Sequence, residues 1–213
     1  MPESSDVIGA FGLLRIISNL IREKDKVRVE SIYFDKPGAE NTDETLRIAR
    51  SRAGELGIKT VVVASTVGDT GVKATDVFKG HRVVVVTHCT GMKAPNTQEL
   101  SSENRAKIEE NGGIILTSIH TFGGLGKAVR RKLHTYQLEE LIAYTLRTMG
   151  EGMKVVYEIS TMAADAGLVR SDEEMIAIAG TGRGADTAVV LKPANAQDFF
   201  DIRVKEILCK PRL

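Results

Sequence analysis

The chain has 213 residues, 42% of them hydrophobic, and its 29 basic residues nearly cancel its 28 acidic ones. Such a chain buries a sizeable core as one large domain without metals or disulfides, and it lacks the global field that recruits nucleic acid or anionic lipid. Aromatic residues make up only 5% and do not interleave with basic ones, which argues further against nucleic acid. Small molecules or proteins are therefore the expected partners. Cys89 and Cys209 lie far apart without C-x-x-C spacing, which points to a reducing, cytoplasmic setting and away from a disulfide framework or a structural zinc. No stretch reaches the ~20 apolar residues that span a bilayer, and no basic-then-apolar export pattern opens the chain, so no membrane role is expected.

In chain order, Leu13, Leu14, Ile16, Ile17, Leu20 and Ile21 recur at helical spacing and predict a docking helix over residues 12–22. Residues 29–34 mix β-branched and aromatic side chains as a first strand does. Asn41 followed by Glu44 at the third helical position resembles a capping box for a helix running to Leu56 and closed by Gly57. The apolar run Thr60–Ala64 predicts a buried strand, and Ser65, Thr66, Gly68, Asp69, Thr70 and Gly71 then form a loop leading into a helix. Free N–H groups and hydroxyls at a helix start suit a phosphate; the competing reading is a tight turn made by Gly68 and Gly71 with Asp69 as a helix cap.

A second buried strand, Arg82–Thr87, ends in His88, Cys89, Thr90 and Gly91. A helix over residues 101–110 and a strand over 114–118 follow, the strand ending near Ser118, His120 and Phe122. The repeated alternation predicts an α/β fold with a largely parallel sheet, whose ligands bind beyond the carboxyl ends of the strands. Those ends carry small hydrogen-bonding residues here. Residues 126–134 form a basic helix with Lys127, Arg130, Arg131, Lys132 and His134, serving either a phosphate-rich ligand or a solvated or oligomer-contact face. An amphipathic helix over 136–149 is broken by Gly150 and Gly152, and another covers 153–166. On it Glu158 and Asp165 share a face about 10 Å apart, too far to share a proton, so they read as surface carboxylates or one positioned acid.

Two short strands, Met175–Ala179 and Thr187–Lys192, flank Gly180, Thr181, Gly182, Arg183 and Gly184. The G-x-G-x-x-A match at 180, 182 and 185 is rejected as a dinucleotide fingerprint, because a strand follows where that fingerprint needs a helix. A flexible loop with one guanidinium remains. Residues 202–208 alternate with charges, as an edge strand does. The organisation read from these elements is a single α/β domain over 1–213, with a helical extension at 1–28, a core at 29–192 and a tail strand at 193–213.

This order of elements, with Gly68-Asp69-Thr70-Gly71 after an early strand and the 180–187 segment feeding a late one, resembles the C-terminal domain of pyruvate kinase, and more closely the stand-alone proteins made of that domain. The resemblance covers most of 29–192. It implies a three-layer α/β fold with helices on both faces of a mostly parallel sheet and antiparallel strands near the C-terminus. Where pyruvate kinases carry an arginine in the early loop, Asp69 stands here, and Gly71 replaces an alanine, a departure that tells against a sugar bisphosphate. Pyruvate kinase chemistry resides in a separate barrel of about 250 residues for which this chain has no segment, so that activity is expected to be missing.

The stand-alone relatives resemble flavin mononucleotide (FMN) binders. The resemblance therefore implies phosphate on the loop from Ser65 to Gly71, stacking on Phe122, and the 180–184 segment over the ring, with His88, Thr90, Gly91, Ser118 and His120 on the rim. Two alternatives stand beside a plain binding role: a flavin-dependent oxidoreductase, and a module sensing a sugar phosphate or nucleotide. Cys89 beside His88 and His120 is a candidate nucleophile or metal cluster without a diagnostic spacing. A phosphatase lacks a metal-binding carboxylate pair. The wide apolar faces of 12–22 and 136–166 point to a homo-oligomer.

Overall fold

Val61 and Val63 face one side of a sheet and Val62 the other, as the two-residue period of a strand requires, and two separate cores grow from that alternation. The computed structural model describes residues 27–213, so the helix expected over 12–22 lies outside the described residues. Residues 31–213 form one unit, distinct from the chain through Glu30. Its strands are β1 (Ile32–Phe34), β2 (Thr60–Ala64), β3 (Arg82–Thr87), β4 (Ile114–Thr117), β5 (Met175–Ala179), β6 (Thr187–Lys192) and β7 (Arg203–Pro211). The helices are α1 (Thr42–Leu56), α2 (Asp69–Val77), α3 (Ser102–Glu110), α4 (Leu125–Leu133), α5 (Leu138–Arg147) and α6 (Glu151–Asp165).

The strand order is β1-β7-β6-β5-β2-β3-β4. Pairs β2 with β3, β2 with β5, β3 with β4 and β1 with β7 are parallel, whereas β6 runs antiparallel to both β5 and β7. The fold is thus the expected α/β one, mostly parallel with antiparallel strands near the C-terminus. One face packs Leu46, Ala49 and Ala53 of α1, Ala74 of α2 with Phe78 beyond its end, and Ile108 of α3 against Val61, Val63, Val83 and Val85. The other packs Met153, Val156, Ile159 and Met162 of α6 against Val62, Val84, Ala177 and Val189. Each fully buried side chain of this kind contributes about 1.5–3 kcal/mol of transfer free energy.

β7 stands between β6 and β1 in the strand order, but β1 pairs only with Cys209–Pro211, so the 203–208 stretch expected as an edge has no strand on its outer side among the described residues, while Leu208 and Cys209 are buried. Several other expectations are corrected. β1 starts three residues later than its apolar pattern, at Ile32. Gly152 does not break a helix but lies inside α6, which Gly150 alone precedes. No capping box forms at α1: the Asn41 side chain donates to Lys36 O, Glu44 pairs with Arg47, and the Thr42 hydroxyl instead accepts the Ala185 N–H at 3.0 Å. Gly57 closes α1 in the left-handed conformation as read. Leu138, Leu141 and Tyr144 of α5 are exposed, while α6 is buried along most of its length. Among the described residues no helix is long and apolar enough to cross a membrane.

Candidate functional site

The chain leaves β2 toward β3 on one side and enters β5 on the other, a topology that opens a crevice at the strand ends. A cleft of about 1100 Å³ lies there, lined from the ends of β2, β3 and β5, from the segment after β4, and from α4, α5 and α6.

The first wall is the turn from β2 into α2. Ser65 is buried and its Oγ accepts the Gly71 N–H at 3.0 Å. The first backbone bond of α2 runs from Val72 N–H to Gly68 O. The N–H groups of residues 66 to 70 have no acceptor among the described residues. Consecutive unpaired donors at a helix start are an arrangement whose chemistry suits an anion. Gly68 has φ 109°, and a Cβ there would fall 2.4 Å from Asn104 Cβ, so the turn accepts no side chain. Asp69 does not cap the helix; its carboxylate accepts from Asn104 Nδ2 at 2.8 Å. Ser65→Ala strands a buried N–H, and we expect a loss of about 1–2 kcal/mol, read as a lower urea midpoint at unchanged slope.

The second wall carries two histidines. His88 Nδ1 lies 2.7 Å from Glu99 Oε2, and its Nε2 lies 3.4 Å from Thr66 Oγ1. A carboxylate only accepts, so in the neutral ring Nδ1 holds the proton and Nε2 is left to accept from the Thr66 hydroxyl. His120 Nε2 accepts the Cys89 N–H at 3.4 Å, and its Nδ1 lies 3.6 Å from Glu158 Oε1. The two rings are 5.5 Å apart.

Glu158 is the buried acid behind this wall, 3% exposed. Its Oε2 meets Lys154 Nζ at 2.5 Å and its Oε1 accepts the Phe122 N–H at 3.3 Å. Burial pushes the carboxyl up, but the hydrogen bond from His120 and the Lys154 charge outweigh it and hold the group at about 2, below its ordinary 4.5. Asp165, on the same helix, instead ties down the chain beyond β6, accepting from Asn195 Nδ2 and Ala196 N–H. Phe122 also lines the cleft, but its ring is 6% exposed, with Lys154 Nζ over one face and Phe199 at 5.6 Å. Little of it is open to a stacking partner.

Of the expected contacts, Ser65, Thr66, Asp69, Thr70, His88, His120, Phe122, Gly180, Gly182, Arg183 and Gly184 line the cleft. Gly68, Gly71, Thr90, Gly91, Ser118 and Thr181 do not. Gly68 and Gly71 shape the turn from behind, and the Thr181 N–H donates to Asp186 Oδ2. That buried aspartate also accepts from Gly38 N–H and the Thr187 hydroxyl, so the 180–186 loop expected to be flexible is pinned at its base. Cys89 and Cys209 are both free thiols; burial pushes Cys209 up to about 11. Among the described residues no group of three or more potential ligands is placed to hold a metal.

Of the cations of the cleft, Lys127, Arg130 and Arg183 are among the candidates read from the sequence, and Lys73, Arg147 and Lys154 are not. Lys73 pairs with Asp43, Arg130 with Glu140, Arg147 with Glu151 and Lys154 with Glu158. Among the described residues Lys127 has only Met92 Sδ at 3.7 Å, and the Arg183 guanidinium has no partner. Two members of the basic helix therefore reach the site, one of them without a carboxylate.

The alpha/beta-domain family of pyruvate kinase matches this chain over residues 43–191, well over half its length. The chain belongs to that family. Among solved structures, a Cryptosporidium parvum pyruvate kinase is similar at 12% identity, over 75% of this chain and 23% of that one, with a TM-score of 0.36. A second structure of C. parvum pyruvate kinase, in complex with ADP, is similar at 12% identity over 82% of this chain and 25% of that one, TM-score 0.34. An O-ureido-L-serine synthase is similar at 18% identity over 64% of this chain and 50% of that one, TM-score 0.28. This chain thus spans about a quarter of the length of the pyruvate kinases it matches. In this pyruvate kinase alpha/beta-domain protein the family match takes in every segment of the cleft except that of Ala39 and Thr42, and stops before β7.

Proposed function

We propose that this protein binds a phosphate-bearing small molecule, FMN, at the carboxyl ends of β2, β3 and β5, as a ligand-binding module without pyruvate kinase chemistry. The observation that carries the reading is the row of N–H donors at residues 66 to 70, without an acceptor among the described residues, on a turn whose Thr66, Val67, Asp69 and Thr70 line a cleft that also holds Lys127 and Arg183, neither of them paired there with a carboxylate among the described residues. Donors and cations of that kind complement a phosphate dianion. The cleft volume suits a mononucleotide. Met92, Val155, Ile159 and Met162 give apolar lining for a ring, beside the largely buried Phe122. When bound, the flavin supplies its own redox chemistry.

The test is a titration of purified protein with FMN, followed by flavin fluorescence, and with inorganic phosphate by calorimetry. Binding at micromolar FMN is expected. The double variant Lys127→Ala, Arg183→Ala should weaken it about tenfold or more, since each charge-assisted bond contributes about 1.5–3 kcal/mol, and the difference should shrink as salt rises. Protein that neither retains nor binds FMN at those levels refutes the flavin assignment; failure of phosphate as well refutes the anion site.

A further inference from the structure

Thr66 stands at the point where the free N–H groups begin, and the geometry around it exceeds what holding an anion requires. Its hydroxyl lies 3.4 Å from His88 Nε2, the nitrogen left as acceptor because Nδ1 is committed to Glu99 at 2.7 Å. Thr66 and His88 both line the cleft, with the His88 side chain 38% exposed and Glu99 behind it at 20%. A histidine that only completes a core would not face an open cleft. Thr66 is β-branched, which restricts its hydroxyl to few orientations. The next N–H group in the chain, that of the cleft-lining Val67, has no acceptor among the described residues, and the N–H of the residue after a nucleophile is a common donor to developing negative charge.

We propose that Thr66, His88 and Glu99 act as nucleophile, base and positioning residue in phosphoryl transfer to water, from substrates whose leaving oxygen is stable as an anion, such as an acyl phosphate. The proposal rests on the reading that the 66 to 70 loop holds a phosphoryl group. The donors on the four cleft-lining residues of that loop, Thr66, Val67, Asp69 and Thr70, match the three oxygens of a phosphoryl group better than the single oxygen of a carbonyl adduct. In the first step the Thr66 Oγ–P bond forms, the bond from phosphorus to the leaving oxygen breaks, and His88 Nε2 takes the hydroxyl proton. The leaving group departs as a carboxylate or phosphate anion and needs no proton. His88 releases that proton to solvent, and its Nε2 then takes one from water, which attacks phosphorus. The P–Oγ bond breaks, and Oγ recovers its proton from His88. The net change is hydrolysis to inorganic phosphate with no oxidant or reductant. FMN, with a poor alkyl leaving oxygen, is then a competitor and not a substrate.

The probe is acetyl phosphate, with phosphate release corrected for spontaneous hydrolysis and intact mass taken on acid-quenched protein. Release above background is expected, with competitive inhibition by FMN. Thr66→Val and His88→Asn should each lower kcat about 100-fold or more, while Thr66→Ser keeps most of it. Glu99→Gln should lower kcat about tenfold and shift the acid limb of the pH profile, which a merely structural residue would not do. The wild-type protein should carry one phosphoryl group that Thr66→Val lacks. Circular dichroism confirms that each variant is folded. Phosphate binding without release overturns the catalytic proposal and leaves the binding site intact, as does Thr66→Val with wild-type turnover. Absence of both binding and release refutes the binding reading and this inference with it.

Discussion

Lys154→Met is expected to destabilise the fold by about 3–5 kcal/mol at neutral pH, the range for removing one partner of a buried ion pair. Methionine fills the stem's place against Phe122, so the loss isolates the charge. Glu158 would keep only the Phe122 N–H and His120 as partners in a site that is almost fully enclosed. The carboxyl then responds by taking up a proton, and its pKa rises. A double change, Lys154→Met with Glu158→Gln, should recover most of the loss, since a neutral pair leaves no uncompensated charge. Urea denaturation of the three proteins checks this; a single variant within about 1 kcal/mol of wild type would mean that the pair contributes little.

The same carboxyl sets an acid limit. Its pKa is depressed in the folded state to about 2 from an ordinary 4.5, so its contribution is complete above pH 4.5 and is lost as pH falls toward 2. The linkage amounts to about 3 kcal/mol. In Lys154→Met that dependence should move upward, and the gap to wild type should narrow on acidification.

Gly152→Ala is expected to cost about 2–4 kcal/mol although alanine is the better helix former. A Cβ at residue 152 would lie 2.1 Å from Thr187 Oγ1 and 2.6 Å from Thr187 Cβ. That threonine donates to Asp186, which in turn holds Gly38 and Thr181, so pushing it aside disturbs the base of the 180–186 loop as well as the seat of α6 on β6. Gly54→Ala in α1 is the control: it is exposed, with only Arg50 Nη1 near at 3.7 Å, and should gain about 0.5–1 kcal/mol. Equal effects of the two changes would show that propensity, not contact, governs both.

What the sequence reveals follows the range of the interaction involved. The runs at 61–63 and 83–86 are buried on both faces and declare themselves as continuous valine. Gly57 ends α1 and Ser101 caps α3 through bonds made within a few residues, and both are readable. Gly152 looks like a breaker because its reason for being glycine lies 35 residues away at Thr187. Lys154 and Glu158 are four apart and visibly one helix turn from each other, but that the pair is buried depends on His120 and Phe122 arriving from another loop. Glu99 gives no local sign of meeting His88. The alternating charges of residues 203–206 describe an edge and have none of β1 beside them, whereas the last residues of β7, Cys209–Pro211, are covered by β1.

That last arrangement governs the order in which the sheet can be completed. β1 joins only β7, and the Ser31 hydroxyl bonds Ile207 O across 176 residues of chain. Loop closure on that scale is slow to find and brings no contact until late. During synthesis β2, β3 and β4 can assemble while β6 still exposes an open hydrogen-bonding edge, and β1, the first of the described strands to be made, waits for the last of them. The interval before β7 arrives is when the nascent chain is open to strand pairing with another copy of itself.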